Sequence, residues 1–143
     1  MSTRFKPIGV WLGARFLNSP AQQDVRVIYE PTDPYGVQLQ FPRDGDEPVV
    51  WVMARSLLLL GLTPDRRKTV GDGDVTVGPA PLPPDVAITL KPPYPYQPLT
   101  VLLSRTELGA FILETLELIP DGQESQHLDV DGAIAVILAE AAP

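Results

Sequence analysis

An α+β fold, strands first and helices last, is what this sequence predicts, and three observations carry it. Apolar and polar residues alternate with a period of two in short blocks between Val10 and Leu103. After Ser104 the apolar spacing becomes helical. Of the 17 prolines, eight cluster at Pro79, Pro81, Pro83 and Pro84 and at Pro92, Pro93, Pro95 and Pro98. A proline cannot donate a ladder hydrogen bond, so these clusters belong in loops or at strand ends and divide the strands from one another.

The elements follow in order. Val10, Leu12 and Phe16 fall in a first strand, and Val25, Val27 and Tyr29 alternate with Arg26 in a second. Pro31-Thr32-Asp33-Pro34 is a turn, because Asp and Pro preset turn geometry. Val37, Leu39 and Phe41 alternate with Gln38 and Gln40, the pattern of a strand with one buried face. Arg43-Asp44-Gly45-Asp46-Glu47 is the next turn, and the unbroken apolar run Val49-Val50-Trp51-Val52-Met53 predicts a more buried strand. Residues 54–62 change period. Ser56 is a candidate N-cap and Gly61 a candidate left-handed stop, with Leu57, Leu58, Leu59 and Leu60 between them. Consecutive leucines cover every side of a short helix, so part of it must meet a second surface, which another subunit could supply.

Strands resume after a polar connector: Val75 and Val77, then Val86, Ile88 and Leu90, then Leu99, Val101 and Leu103. Residues 91–98 between the last two read as a long hairpin tip. Ser104-Arg105-Thr106-Glu107 matches a capping box, and Leu108, Phe111, Ile112, Leu116 and Ile119 keep helical spacing up to the stop Pro120-Asp121-Gly122. A last helix is expected from near Asp129, burying Ile134, Ile137 and Leu138. The expected order is thus β-β-β-β-α-β-β-β-α-α in one domain spanning residues 1–143, with residues 1–7 a flexible tail.

The 143 residues suffice for a core, and hydrophobic residues are 44% of them. A net charge of −7 opposes a broad nucleic-acid footprint, which depends on Lys and Arg displacing counterions from phosphate. The absence of cysteine excludes disulfide and thiolate chemistry. Gly9, Gly13 and Arg15 break up the stretch 8–17 that would otherwise resemble a signal-peptide core, and no apolar run reaches membrane-spanning length. A cytoplasmic location is expected.

Candidate chemistry is sparse. His127 is the single histidine, so a transition-metal site would rest on carboxylates, and no nucleophile elbow supports a triad around it. It reads as a loop or capping residue. Asp44, Asp46 and Glu47, and likewise Asp72 and Asp74, lack calcium-loop spacing and read as solvated turn carboxylates. Gly71-Asp72-Gly73 precedes a strand and lacks the third glycine of a dinucleotide loop. No cofactor, metal or catalytic residue is expected. Two features suit partner binding: the basic cluster Arg66, Arg67 and Lys68 in an acidic chain, and Tyr94 and Tyr96 between prolines in a stiff loop. Trp51 reads as core, and Trp11 fits either core or surface.

Four blocks of this sequence resemble the SsgA-like proteins, regulators of sporulation-linked cell division in actinobacteria. They are Val27-Ile28-Tyr29 with Thr32-Asp33-Pro34-Tyr35-Gly36-Val37; Trp51-Val52-Met53-Ala54-Arg55-Ser56-Leu57-Leu58 through Gly61-Leu62; Gly71-Asp72-Gly73-Asp74-Val75-Thr76-Val77 through Pro79; and Phe111-Ile112-Leu113-Glu114-Thr115 with Pro120-Asp121-Gly122-Gln123-Glu124. The likeness runs from roughly residue 25 to 140. Ser56 stands where Asp is usual and Glu114 where a basic residue is common, and the Pro- and Tyr-rich tip 92–98 differs from the expected polar turn. The resemblance implies a non-catalytic protein with a whirly-like fold, assembled as a homotrimer. It implies a role in recruiting or localising the tubulin-like protein FtsZ at the septum, directly or through another SsgA-like protein. Leu57, Leu58, Leu59 and Leu60 are the self-association candidates, and Arg66, Arg67, Lys68, Tyr94 and Tyr96 the partner-binding candidates. The alternative is a single-stranded nucleic-acid binder, by fold analogy with the whirly proteins.

Overall fold

The computed structural model describes residues 6–63, 68–71, 73–81, 85–93 and 95–127. Its strands are β1 (Ile8–Phe16), β2 (Gln22–Tyr29), β3 (Gly36–Arg43), β4 (Asp46–Ala54), β5 (Val75–Pro79), β6 (Asp85–Leu90) and β7 (Leu99–Ser104). Helix α1 (Arg55–Gly61) follows β4, helix α2 (Arg105–Leu118) follows β7, and a 3₁₀ turn (Glu124–His127) comes after it. The expected order therefore holds from the first strand through α2. The expected last helix, with Ile134, Ile137 and Leu138, lies outside the described residues.

All seven strands form one antiparallel sheet in the order β4-β3-β2-β1-β7-β6-β5, curled so that one face encloses the core. The period-two alternation explains that face. Leu12 and Ala14, Val25, Val27 and Tyr29, Val37 and Leu39, then Val77, Ile88, Val101 and Leu103 all project inward, and Leu58 of α1 joins Leu108, Phe111 and Ile112 of α2 over them. Each such aliphatic side chain removed from water contributes about 1.5–3 kcal/mol. Strands β1 and β7 pair only at Arg15 with Leu102 and Phe16 with Val101. Phe111 of α2 lies beside Val10 and Leu12, where β1 has left β7.

Three sequence expectations need correction. The run Val49-Val50-Trp51-Val52-Met53 is not a buried strand. It forms edge strand β4, where Val49, Val50 and Val52 are exposed, Trp51 is half-buried and only Met53 is buried. Val50 and Val52 pair with Gln40 and Gln38, on the polar outer face of the sheet. Ser56 is not the N-cap of α1. Ala54 holds that position without a side-chain bond, and the Arg55 N–H is satisfied by the Tyr35 carbonyl at 2.7 Å. Gly61 does not end α1 in a left-handed conformation, since the positive-φ glycines described are Gly45, Gly71 and Gly122. It is needed for close packing instead: a Cβ there would overlap the Val77 side chain. The capping box is half realised, with Ser104 Oγ accepting the Glu107 N–H at 3.2 Å.

Candidate interaction surface

Helices α1 and α2 pack against one another over the sheet, and the two ends of the pair differ in chemistry. At one end Arg55 opens α1 and is completely buried. Its Nη1 donates to the Thr115 carbonyl at 3.1 Å, which also accepts the Ile119 N–H, and to the carbonyl of the C-cap residue Ile119 at 2.7 Å, which lies past the last turn of α2. Its Nη2 donates to Glu124 Oε2 at 3.0 Å. The guanidinium also lies 5.0 Å from the centre of the Tyr29 ring, a cation–π contact. Tyr29 Oη in turn donates to the Pro34 carbonyl at 2.8 Å. One cation thus ties the start of α1, the end of α2, strand β2 and the turn after α2.

The titrations follow from this geometry. The Glu124 carboxyl is held below its usual 4.5, first by a hydrogen bond from its own backbone N–H and next by Arg55, with the Gly122 N–H adding to them. The Tyr29 hydroxyl is pushed above 10.0 by burial, against the opposing pull of Arg55. The Glu124 shift belongs to a structural ion pair, and the Tyr29 shift to burial beside it.

At the other end the helices part. Leu59, Leu62 and Thr63 face Arg105, Thr106, Gly109, Ala110, Ile112 and Leu113 across a cleft of about 570 Å³ whose walls are almost wholly apolar. Leu113 is 63% exposed beside it. Arg105 stands at the rim, its Nη1 donating to the Leu62 carbonyl at 2.9 Å.

The sequence-predicted contact residues scatter over this frame. Of the four consecutive leucines, Leu58 is core, Leu57 and Leu59 are half-buried, and Leu60 is 44% exposed. The expectation that α1 cannot bury them all is met. Leu58 itself lies beneath the surface and offers nothing to a partner. Arg66, Arg67 and Tyr94 lie outside the described residues. Lys68 is exposed, and Tyr96 at the β6–β7 tip is 72% exposed, with Leu99 exposed at the start of β7 and Leu17 exposed in the turn just past β1. Trp11 resolves to the surface, on the outer face of β1, with the Arg26 guanidinium 6.0 Å from its ring centre. Among the described residues no group of three or more His, Cys, Asp or Glu could hold a metal, and no helix is long and apolar enough to cross a membrane.

Sequence reasoning missed Arg55, Arg105, Gly109 and Leu113. A signal existed for the last: Leu113 is a leucine off the buried stripe of Leu108, Phe111, Ile112 and Thr115. Periodicity gave none for Arg55, whose acceptors are 60 or more residues away, although Arg55 and Glu124 both lie in the blocks that resemble the family.

The fold gives the class. The crystal structure of an SsgA-like sporulation-specific cell division protein from Thermobifida fusca superposes with a TM-score of 0.74 at 31% identity, over 94% of this chain and 98% of that one. A second solved structure, of SsgB in work on longitudinal cell division during sporulation of Streptomyces coelicolor, gives 0.73 at 29% identity over 89% of this chain and 99% of that one. This is the α+β fold of SsgA-like proteins.

The model of the family described as Streptomyces sporulation and cell division protein, SsgA, matches residues 24–124, and the chain belongs to that family. A sporulation-specific cell division protein SsgB from Frankia casuarinae is 33% identical, covering 96% of each chain. Its namesake in Streptomyces coelicolor is 32% identical, over 78% of this chain and 79% of its own. The family is one of regulators of sporulation-linked cell division, not of enzymes.

Proposed function

We propose that this chain is a non-catalytic adaptor that helps recruit or localise FtsZ at septum sites during sporulation, directly or through another SsgA-like protein. The observation that supports it most is similarity to a sporulation-specific cell division protein along 96% of both chains. In this reading the protein works in the cytoplasm at the septum as a homotrimer. The exposed side of α1, chiefly Leu60 with the half-buried Leu57 and Leu59, serves self-association. Leu58, buried in the core, supports that face from beneath. The partner surfaces are Arg66, Arg67 and Lys68 in the connector after α1, and Tyr94 and Tyr96 at the hairpin tip. An apolar helix side left to solvent supports the first assignment. A basic spot in a chain of net charge −7 and an exposed Tyr on a proline-stiffened loop support the second.

The test is affinity capture from sporulating cells combined with sedimentation of the purified protein. Division proteins should co-purify, and a trimer should sediment. Recovery of a monomer with no division protein bound would refute the reading. No observation favours the single-stranded nucleic-acid alternative or the whirly likeness behind it, and the acidic charge opposes it. Oligonucleotide affinity at physiological salt should be negligible.

A further inference from the structure

Trp11 stands 56% exposed on the outer face of β1, and charges of opposite sign gather on its two sides. On one side a shallow recess of about 160 Å³ brings it together with Arg26, Gln40, Arg43 and Asp46. On the other, a recess of about 220 Å³ sets it against Glu107 and Glu114 of α2. Trp11, Arg26, Gln40 and Val50 are register partners on four neighbouring strands, so they form one row across the sheet. The Arg26 guanidinium lies 6.0 Å from the Trp11 ring centre. It also reaches over Gly9, where a Cβ would stand 3.3 Å from its Nη2. A side chain at position 9 would press on the guanidinium, and the glycine leaves it room to lie flat. Among the described residues the ion pairs are Arg15 with Asp85 and Arg55 with Glu124. Arg26 and Arg43 on one side of Trp11, and Glu107 and Glu114 on the other, therefore have no partner of opposite charge among them.

We propose that this face docks an extended peptide segment in which an apolar side chain stands between an acidic residue and a basic one. In an extended chain alternate side chains share a face, so the three residues occur at i, i+2 and i+4 of the partner. The apolar side chain packs on Trp11, the carboxylate meets the guanidiniums of Arg26 and Arg43, and the cation meets Glu107 and Glu114. An exposed Trp beside Arg is the composition of an interface hot spot. Arg26, already laid against an aromatic ring, has less rotamer freedom to lose when a partner binds. The divided charge favours a peptide over a nucleic-acid strand, whose successive phosphates would reach Arg26 only by bringing their neighbours against the two glutamates. This face is separate from the surfaces assigned to the adaptor role, and its docking does not depend on that role.

The full-length chain has two tryptophans, so its indole N–H signals in an NMR spectrum report on Trp11 and, as a control, on the half-buried Trp51 of β4. The probe is the acetylated and amidated peptide Gly-Glu-Ser-Phe-Ser-Lys-Gly. It should shift the Trp11 signal to saturation and leave Trp51 in place. Replacing the peptide's Glu by Gln should weaken binding on the order of tenfold, because a charge-assisted hydrogen bond is lost. Arg26→Lys keeps the charge without the planar fork and should remove most of that difference. Arg26 is exposed, and an unchanged Trp51 signal verifies that the variant is folded. No shift of Trp11 at millimolar peptide, equal binding of the Glu and Gln peptides, or a difference that survives Arg26→Lys would overturn the proposal. A shift of Trp11 by oligothymidylate but not by the peptide would assign the face to nucleic acid and overturn it as well.

Discussion

The two ends of the α1–α2 pair put the same helices to opposite uses. Around Arg55 the pair is closed: a buried cation meets two helix-terminal carbonyls, a carboxylate and an aromatic face. Around Leu113 it is open, and a leucine stands largely in water beside an unfilled glycine. A helix pair held only by apolar packing could slide or re-pack. With one end pinned by directional hydrogen bonds, the other can present an apolar surface without collapsing on itself. Polar bonds hold the helices together at one end, and apolar side chains are left in reach of solvent at the other.

The largest effect expected from breaking this contrast is at the closed end. Arg55→Ala leaves Glu124 without its cation and takes the Arg55 donor from the Ile119 carbonyl, and should cost about 3–5 kcal/mol, read as a lowered midpoint of urea unfolding. Gly61→Ala should come next, at about 1–3 kcal/mol, because the new methyl must displace Val77. Ser104→Ala removes a side-chain cap and should cost about 1 kcal/mol. Ser56→Ala, which removes no cap, should stay within about 0.5 kcal/mol of the parent.

The pH dependence sharpens the same contrast. Glu124 titrates lower in the folded protein than its usual 4.5, so the stability it confers is complete above that pH. It is lost as pH falls from 4.5 toward the lower folded value. Glu124→Gln should therefore show a shallower loss of stability in that acid range, measured by denaturant titration at successive pH values. The smallest effect on stability belongs to the open end. Leu60→Ser should leave the unfolding midpoint within about 0.5 kcal/mol of the parent, while weakening self-association in sedimentation.

Much of the sheet was legible because period-two alternation is a direct consequence of one-sided burial, and Val37, Leu39 and Phe41 follow it faithfully. Strand β4 was misread because an unbroken apolar run looks the same whether both faces are buried or one is left open at an edge. Gly61 was misread because a glycine at a helix end signals either backbone freedom or close approach, and only Val77, distant in sequence, decides between them. The exposed side of α1 was legible in part. The excess of leucine on α1 predicted that one would be exposed, and Leu60 is. The Arg55 cluster was hidden from periodicity, because its hydrogen-bond partners are two backbone carbonyls at the end of α2 and a carboxylate brought in by the turn after it.

The central claim is that this protein acts at the septum through its surface, and imaging tests it most directly. In sporulating cells a fluorescent fusion of the intact chain should form bands at future septa before constriction, together with FtsZ. A Leu60→Asp fusion, folded and equally abundant, should be diffuse. A wild-type fusion that stays diffuse while septa form normally, or a Leu60→Asp fusion that forms the same bands, would contradict the account.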